Sequence, residues 1–171
     1  MPLANEYEII CIDEAHFRRE ADKRRCWSLV GTTPIVHVNG SFQNTNVYGA
    51  YTLKGKFHYK FVERQIATKT ISFLERLRKI YKKIIFLLDN ARWHTAKIVE
   101  EYVKKFDKQM KIIFLPKASP ELNPVEECWR QTRNNVTGNI SYNSTEQLKG
   151  ALRNEWNKQK FRHKSINYLC P

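Results

Sequence analysis

The sequence predicts an α/β fold in which a mixed five-stranded central sheet is flanked by helices. Two apolar runs that each end in an aspartate, residues 9–12 before Asp13 and residues 84–88 before Asp89, indicate buried strands. The second run is continuous, as in strands that are covered on both faces. A helical pattern and a further apolar run follow it, and strand, helix, strand in this order predicts parallel pairing.

The first half of the chain is predicted to form mainly strands, and the second half to alternate helices and strands. Lys54-Gly55-Lys56 is the clearest tight connection, and Ile71, Leu74 and Leu77 share one face of a helix. An antiparallel meander followed by alternating helices and strands is the order of a ribonuclease-H-like fold, in which the first and fourth core strands are neighbours. The predicted strands cover residues 8–12, 26–30, 35–38, 47–53, 57–62, 84–88 and 111–115. One predicted helix begins at residue 68, and three more cover residues 95–106, 124–136 and 145–160.

Charge and length limit the class of protein. The 171 residues include 30 lysines and arginines against 17 acids, a formal net charge of +13, with 42% hydrophobic residues. Such a chain has enough apolar residues for one globular domain, which we assign to residues 1–171, and its basic surface favours a polyanionic partner. A ribosomal or merely soluble basic protein is the alternative. Since no apolar run approaches the roughly 20 residues that span a bilayer, we expect a cytoplasmic, nucleoid-associated protein without a membrane partner.

Three carboxylates form the candidate site. Asp13 and Asp89 follow strands that we expect to be neighbours, with axes about 4.8 Å apart, and Glu126 lies just inside the start of a helix. Crowded acids have raised pKa values unless a cation neutralises them. Oxygen ligands without a nearby histidine pair favour magnesium or manganese over zinc. On a basic chain this predicts metal-assisted phosphodiester chemistry on nucleic acid.

Each of these residues also has a purely structural interpretation. Taken singly, Asp13 is better explained by a turn or a helix cap, Asp89 is explained equally well by the N-cap of the next helix, and Glu126 is explained by a capping box at its own helix start. Trp129 is better explained by core packing than by base stacking. His94 is suited to approach a phosphate or a metal-binding carboxylate, and a hydrogen-bonded structural histidine is an equal alternative.

Three segments carry more specific patterns: Ile12-Asp-Glu-Ala-His-Phe17, Leu88-Asp-Asn-Ala-Arg-Trp-His-Thr95 and Leu115-Pro-Lys-Ala-Ser-Pro-Glu-Leu-Asn-Pro-Val-Glu-Glu-Cys-Trp129. Together they resemble the three signature blocks of DDE transposases in the mariner-like insertion-sequence superfamily. The resemblance assigns Asp13, Asp89 and Glu126 as the catalytic and metal-binding triad, because the family's third acid directly follows Asn-Pro-Val. The 36 residues between Asp89 and Glu126 agree with the spacing in that family.

The resemblance also implies a mechanism and partners. Two Mg²⁺ or Mn²⁺ ions per active site would serve both strand cleavage by water and strand transfer by a DNA 3′-hydroxyl. The partners would be double-stranded DNA, as transposon ends and target, and a second subunit in a homodimer. Such transposases are expected to carry helix-turn-helix elements before the catalytic domain. Since the chain reaches Asp13 after twelve residues, we expect a catalytic domain without them.

Basic side chains close to the triad in sequence are the predicted phosphate contacts. Residues 24–39 are predicted to form an arm that contacts the second subunit, while the basic runs 76–83 and 158–164 are better explained as solvated surface. The alternatives are another ribonuclease-H-like endonuclease, or a catalytically inactive DNA-binding remnant of a transposase. The predicted DNA contacts are Arg18, Arg19, Lys23, Arg24, Arg25, His94, Lys117, Arg130 and Arg133.

Overall fold

The computed structural model describes residues 6–117, 119–158 and 160–161. The chain divides into two compact units. Of the described residues, the first unit comprises 6–15, 46–117, 119–128 and 160–161, and the second comprises 16–45 and 129–158. All three predicted triad residues therefore belong to the first unit.

A five-stranded sheet has the strand order β3-β2-β1-β4-β5. Strands β2 and β3 pair antiparallel, whereas β4 pairs parallel with both β1 and β5, so the sheet is mixed. This confirms the predicted fold class and the predicted neighbourhood of the first and fourth strands. The strands are β1 Glu8–Arg18, β2 Asn44–Thr52, β3 Phe57–Val62, β4 Ile84–Leu88 and β5 Met110–Phe114.

Four α-helices complete the described structure, and their positions agree with the sequence pattern. The third ends earlier than predicted, because residues 133–137 continue it as a π-helical turn. None of the described helices is long and apolar enough to cross a membrane. The helices are α1 Ala67–Arg78, α2 Lys97–Lys105, α3 Pro124–Thr132 and α4 Thr145–Lys158, and a 3-10 turn, Pro120–Leu122, precedes α3.

The core of the first unit explains the continuous apolar run of β4. Phe86 and Leu88 are fully buried, as are Ile10 of β1 and Leu74 and Leu77 of α1. Burying an aliphatic or aromatic side chain of this size contributes about 1.5–3 kcal/mol. These buried residues lie just before the aspartates of the candidate site, so their packing fixes the strand segments that carry the site.

The second unit is organised around aromatic side chains. Trp129 is only 1% exposed and meets Phe17 and Trp156 edge to face, with ring centroids 5.9 and 6.1 Å apart. The indole nitrogen of Trp156 donates to Thr132 Oγ1 at 2.9 Å, which satisfies the polar end of a buried ring. The preference for core packing of Trp129 over base stacking is confirmed.

The segment between β1 and β2 differs from the prediction. Residues 26–30 and 35–38 are not strands, and Trp27 and Val30 are fully exposed. Their β-branched and aromatic composition gave the strand pattern, but β-propensity reflects packing on neighbouring strands, and these residues pair with none. By contrast, the predicted tight turn before β3 is confirmed, with Gly55 at φ +83°, a conformation that favours glycine.

Candidate active site

The register of β1 and β4 brings the two aspartates to one row of the sheet. Cys11 is the partner of Leu87, so two residues further along each parallel strand come Asp13 and Asp89. β4 ends at Leu88, whereas β1 continues to Arg18. Asp13 therefore lies within its strand and does not close it, and the turn interpretation of Asp13 is wrong.

A cleft of about 390 Å³ lies at these strand positions. Asp13, Asp89 and Glu126 all line it, together with Lys117 of the proline-rich loop. The fold thus brings together three acids that are separated by 75 and 36 intervening residues in the sequence. The lining residues include neither a cysteine nor a histidine, so the donor set is that of a hard-cation site.

Glu126 is held by the start of α3 without using its own side chain. The Asn123 side chain accepts from Val125 N at 3.2 Å, and Glu126 N donates to the Asn123 carbonyl at 3.0 Å. In a capping box the glutamate would bond the Asn123 N–H, but that N–H donates to Pro120 O at 3.0 Å. Within the described residues the exposed Glu126 carboxylate accepts no hydrogen bond, and it lines the cleft.

Two asparagines connect the elements around the cleft, a role that sequence reasoning did not assign to them. The buried Asn123 donates through Nδ2 to the carbonyl of Ile12 at 3.1 Å and so ties α3 to β1 beside Asp13. Asn90 donates to the carbonyl of Leu115 at 2.7 Å and ties the end of β4 to the segment after β5. Their signal in the sequence was position, since Asn90 directly follows Asp89 and Asn123 lies three residues before Glu126, both within signature blocks.

Asp89 begins a turn and does not cap the following helix. Its Oδ1 accepts from Ala91 N at 3.0 Å, the pattern of an Asx-turn. Helix α2 starts only at Lys97, after Ala96. The helix-capping interpretation of Asp89 is therefore wrong, and the turn delivers His94 back toward the strand end.

His94 lies between two carboxylates. Its side chain is fully buried, with Nδ1 2.8 Å from Asp89 Oδ1 and Nε2 2.7 Å from Glu14 Oε1. Burial lowers the pKa of His94, but the hydrogen bonds to Asp89 and Glu14 and the charges of these carboxylates outweigh burial and raise the pKa to about 9. The ring is thus a cation at neutral pH, and both nitrogens donate.

The same histidine also acts on the pKa of Asp89. The hydrogen bond from His94, against the opposing effect of burial, lowers the pKa of Asp89. Crowding of carboxylates was expected to raise the pKa unless a cation neutralises the charge, and at Asp89 the buried His94 side chain is such a cation. Asp89 is therefore ionised and ready to accept a cation at neutral pH.

A direct DNA contact by His94 is also corrected. Its side chain has no exposed surface, and both ring nitrogens already face carboxylates, so no ring atom is left for a phosphate. Sequence reasoning missed its partner Glu14, which is 6% exposed. The available signal was the Asp13-Glu14 pair together with a histidine five residues after the second aspartate.

Some of the basic side chains that were predicted to contact DNA are exposed in the second unit, and others are held by contacts within that unit. Arg18, Lys23 and Arg25 have exposed side chains. Arg19 instead donates to the carbonyl of Tyr142 at 3.2 Å, and Arg133 lies 5.5 Å from the centroid of the Phe17 ring. Arg24 bonds the side chain of Asn134, Arg130 is exposed, and in the first unit Lys117 is exposed at the cleft.

Comparison with known sequences identifies the family. The family described as DDE superfamily endonuclease matches residues 8–149. The Tc3 transposase of Caenorhabditis elegans is 27% identical over 164 residues, covering 89% of this chain and 49% of that protein. The uncharacterized 39 kDa protein of insertion element IS630 from Shigella sonnei is 25% identical over 147 residues, covering 84% of this chain and 43% of its own length.

Comparison with solved structures supports the fold. The crystal structure of the Mos1 mariner paired end complex with Mn matches with a TM-score of 0.74 at 18% identity, covering 94% of this chain and 52% of that one. Together with the strand order, this likeness confirms the ribonuclease-H-like fold. The chain spans about half the length of these relatives.

Proposed function

The chain belongs to the DDE superfamily of endonucleases, and we propose that it is a transposase catalytic domain that cleaves DNA strands and transfers them with the help of divalent cations. One observation carries the proposal: Asp13, Asp89 and Glu126, from three separate parts of the chain, line a single cleft. The names of the relatives support it, since one is a transposase and another is encoded by an insertion element.

The proposed cofactors are two Mg²⁺ or Mn²⁺ ions held by the three carboxylates that line the cleft. Asp89 is ionised at neutral pH, and within the described residues neither its Oδ2 nor the Glu126 carboxylate accepts a hydrogen bond, so both are available to a hard cation. The solved Mos1 complex that the fold resembles contains Mn. What such ions supply when bound is activation of the attacking oxygen and neutralisation of charge on the leaving oxygen.

The residues of the chain supply the positioning. Asn123 and Asn90 fix the elements that carry Glu126 and Asp89, so the acids are presented by packed structure and little reorganisation is needed on binding. The exposed ammonium group of Lys117 at the cleft is placed to contact a DNA phosphate. Double-stranded DNA, as transposon ends and target, is the substrate that this arrangement favours.

A homodimer is the proposed assembly, with residues 24–39 as the contacting arm. Trp27, Val30 and Ile35 in this arm are more than four-fifths exposed, and large apolar side chains that protrude together are typical of an interaction surface. The Mos1 structure is a paired end complex, which agrees with two catalytic subunits. Sedimentation of the chain on DNA tests this, and a Trp27→Ser variant that assembles as well as the wild type would contradict it.

The catalytic assignment is tested with Asp13→Asn. We expect Mn²⁺- or Mg²⁺-dependent nicking, and strand transfer with a pre-cut end, to fall by roughly 10³-fold or more, the scale of losing one essential catalytic group. Non-specific DNA binding should persist, because phosphate contacts supply it. Unchanged activity in this variant would overturn the assignment, and a wild-type chain that binds DNA without metal-dependent cleavage would identify an inactive remnant.

A further inference from the structure

A row of three side chains runs from the interior to the cleft. Glu14 is 6% exposed, His94 is fully buried and Asp89 is 54% exposed. The two hydrogen bonds that join them measure 2.7 and 2.8 Å, short enough to be charge-assisted. Among the described residues, His94 is the hydrogen-bond partner of Glu14. The buried carboxylate therefore holds one side of the histidine ring, and the other side of the ring donates to Asp89.

The two oxygens of Asp89 are used differently. Oδ1 accepts both from His94 Nδ1 at 2.8 Å and from Ala91 N at 3.0 Å. Oδ2 accepts no hydrogen bond from the part of the chain that the structure describes, and Asp89 lines the cleft. Two donors on one oxygen fix the rotation of the carboxylate, and that rotation decides where the other oxygen lies.

We propose that His94, held in place by Glu14, is a positioning residue that orients the Asp89 carboxylate so that Oδ2 is presented to a divalent cation. This inference rests on the proposed function, since it requires Asp89 to be a metal ligand. Groups behind a metal ligand typically change metal affinity or activity by about 10- to 100-fold when they are removed.

Glu14 is what makes the histidine a rigid support. A ring bonded only to Asp89 is free to tilt about that single bond, whereas a ring bonded at opposite nitrogens is held from both ends. The ligand atoms of Glu14, His94 and Asp89 also lie within 4.8 Å of one another. Both ring nitrogens face carboxylates, however, so a single cation cannot replace the two hydrogen bonds, and a support is the better interpretation than a second metal site.

Two substitutions of His94 separate orientation from folding. Asn places its amide nitrogen near the position of the histidine Nδ1, and Gln places its amide nitrogen near that of Nε2; both amides are donors. His94→Asn therefore keeps the bond to Asp89 and leaves the buried Glu14 without a donor. His94→Gln keeps the bond to Glu14 and leaves the half-exposed Asp89 without its side-chain donor.

The measurement is Mn²⁺ affinity of the 171-residue chain without DNA, from the electron paramagnetic resonance signal of free Mn²⁺, next to the midpoint of urea unfolding. We expect His94→Gln to bind Mn²⁺ about 10- to 100-fold more weakly, and His94→Asn, which keeps the donor to Asp89 and loses only the Glu14 support, to lose less than about tenfold. The urea midpoint should move the opposite way, with His94→Asn the lower, because an unpaired buried carboxylate is costly. A merely structural histidine would make affinity follow stability.

Asp13→Asn in the same assay separates the inference from the proposed function. If the wild type binds Mn²⁺, Asp13→Asn does not and His94→Gln binds as well as the wild type, the positioning role is overturned and the metal site stands. The positioning role is also overturned if both His94 variants lose affinity in proportion to their stability. If the wild type fails to bind Mn²⁺, the proposed function falls and the inference falls with it.

Discussion

Two clusters of charged side chains in the first unit are joined by similar hydrogen bonds. They differ in whether a carboxylate oxygen is left without a hydrogen bond from the described residues. Between α1 and α2, both oxygens of Glu75 accept from Arg78, at 2.7 and 2.8 Å, and Oε2 also accepts from the hydroxyl of Tyr102. At the cleft, Asp89 accepts two hydrogen bonds on one oxygen and none from described residues on the other. A cluster that satisfies all its acceptors stabilises the fold, whereas one with a free acceptor at a cleft is equipped to bind.

The electrostatics follow the same division. Hydrogen bonds from Arg78 and Tyr102 lower the pKa of Glu75 to about 2, and the Arg78 guanidinium lies 4.2 Å from the centroid of the Phe106 ring. The charges of Glu75 and Arg78 are therefore paired within the cluster. In the other cluster the cation, His94, is fully buried and the outer carboxylate faces solvent. A perturbed pKa alone therefore does not mark a functional site; the open coordination position does.

Removing the open oxygen should give the largest effect. Asp89→Asn keeps an acceptor for His94 and converts the cleft side of the group into an amide, so we expect metal-dependent nicking to fall by roughly 10³-fold. Glu75→Gln, the matched change in the closed cluster, should leave nicking within about threefold, since it is an ordinary substitution away from the cleft. Nicking of supercoiled plasmid in Mn²⁺ measures both, and equal losses would contradict the division.

Alkaline pH should weaken the open cluster next. The folded-state pKa of His94 is raised to about 9 from 6.5. Its contribution to the free energy of unfolding is therefore fully present below pH 6.5 and is lost as pH rises through about 9. The shift corresponds to about 3 kcal/mol. Urea unfolding between pH 6 and 10 in metal-free buffer measures this loss, and it should be absent in His94→Gln.

How far the sequence predicted the two clusters depends on the separation of their members. Glu75 and Arg78 lie three residues apart on one helix, where such pairs are neighbours. Glu14 and His94 are 80 residues apart, and their contact depends on strand register and on the path of the turn after Asp89. Neither is encoded in local spacing, so the signature blocks predicted the proposed triad but not the Glu14–His94 contact beside it.

The same reasoning explains which strands were predicted correctly. Residues 84–88 form a strand because both faces are buried and every residue is apolar, a pattern that the sequence displays directly. Residues 26–30 are equally apolar in places, yet Trp27 and Val30 are exposed. A segment with high strand propensity forms a strand only where it can pair with a neighbouring strand. Whether such a neighbour exists depends on the whole fold and cannot be read from a short stretch of sequence.

Acid pH should weaken the closed cluster by a smaller amount. The pKa of Glu75 is depressed, so its stabilisation is present above 4.5, the unfolded-state value, and is lost as pH falls toward about 2. Because 29% of its side chain is exposed, solvent screening reduces the contribution to about 1 kcal/mol. Glu75→Gln should lower the urea midpoint at pH 7 and remove this acid-side loss. A variant whose stability still falls with the wild type would show that other carboxylates dominate.

Two lysines of the first unit should give the smallest difference. Lys117 lines the cleft, whereas Lys104 of α2 is paired with Glu100 at 2.6 Å. If Lys117 contacts a phosphate, Lys117→Ala should reduce the slope of log affinity for DNA against log salt by about 0.9. Lys104→Ala should leave the slope unchanged, because a lysine already paired releases no counterion from DNA. Filter binding at a series of salt concentrations measures both slopes, and equal slopes for the two variants would remove Lys117 from the DNA-binding surface.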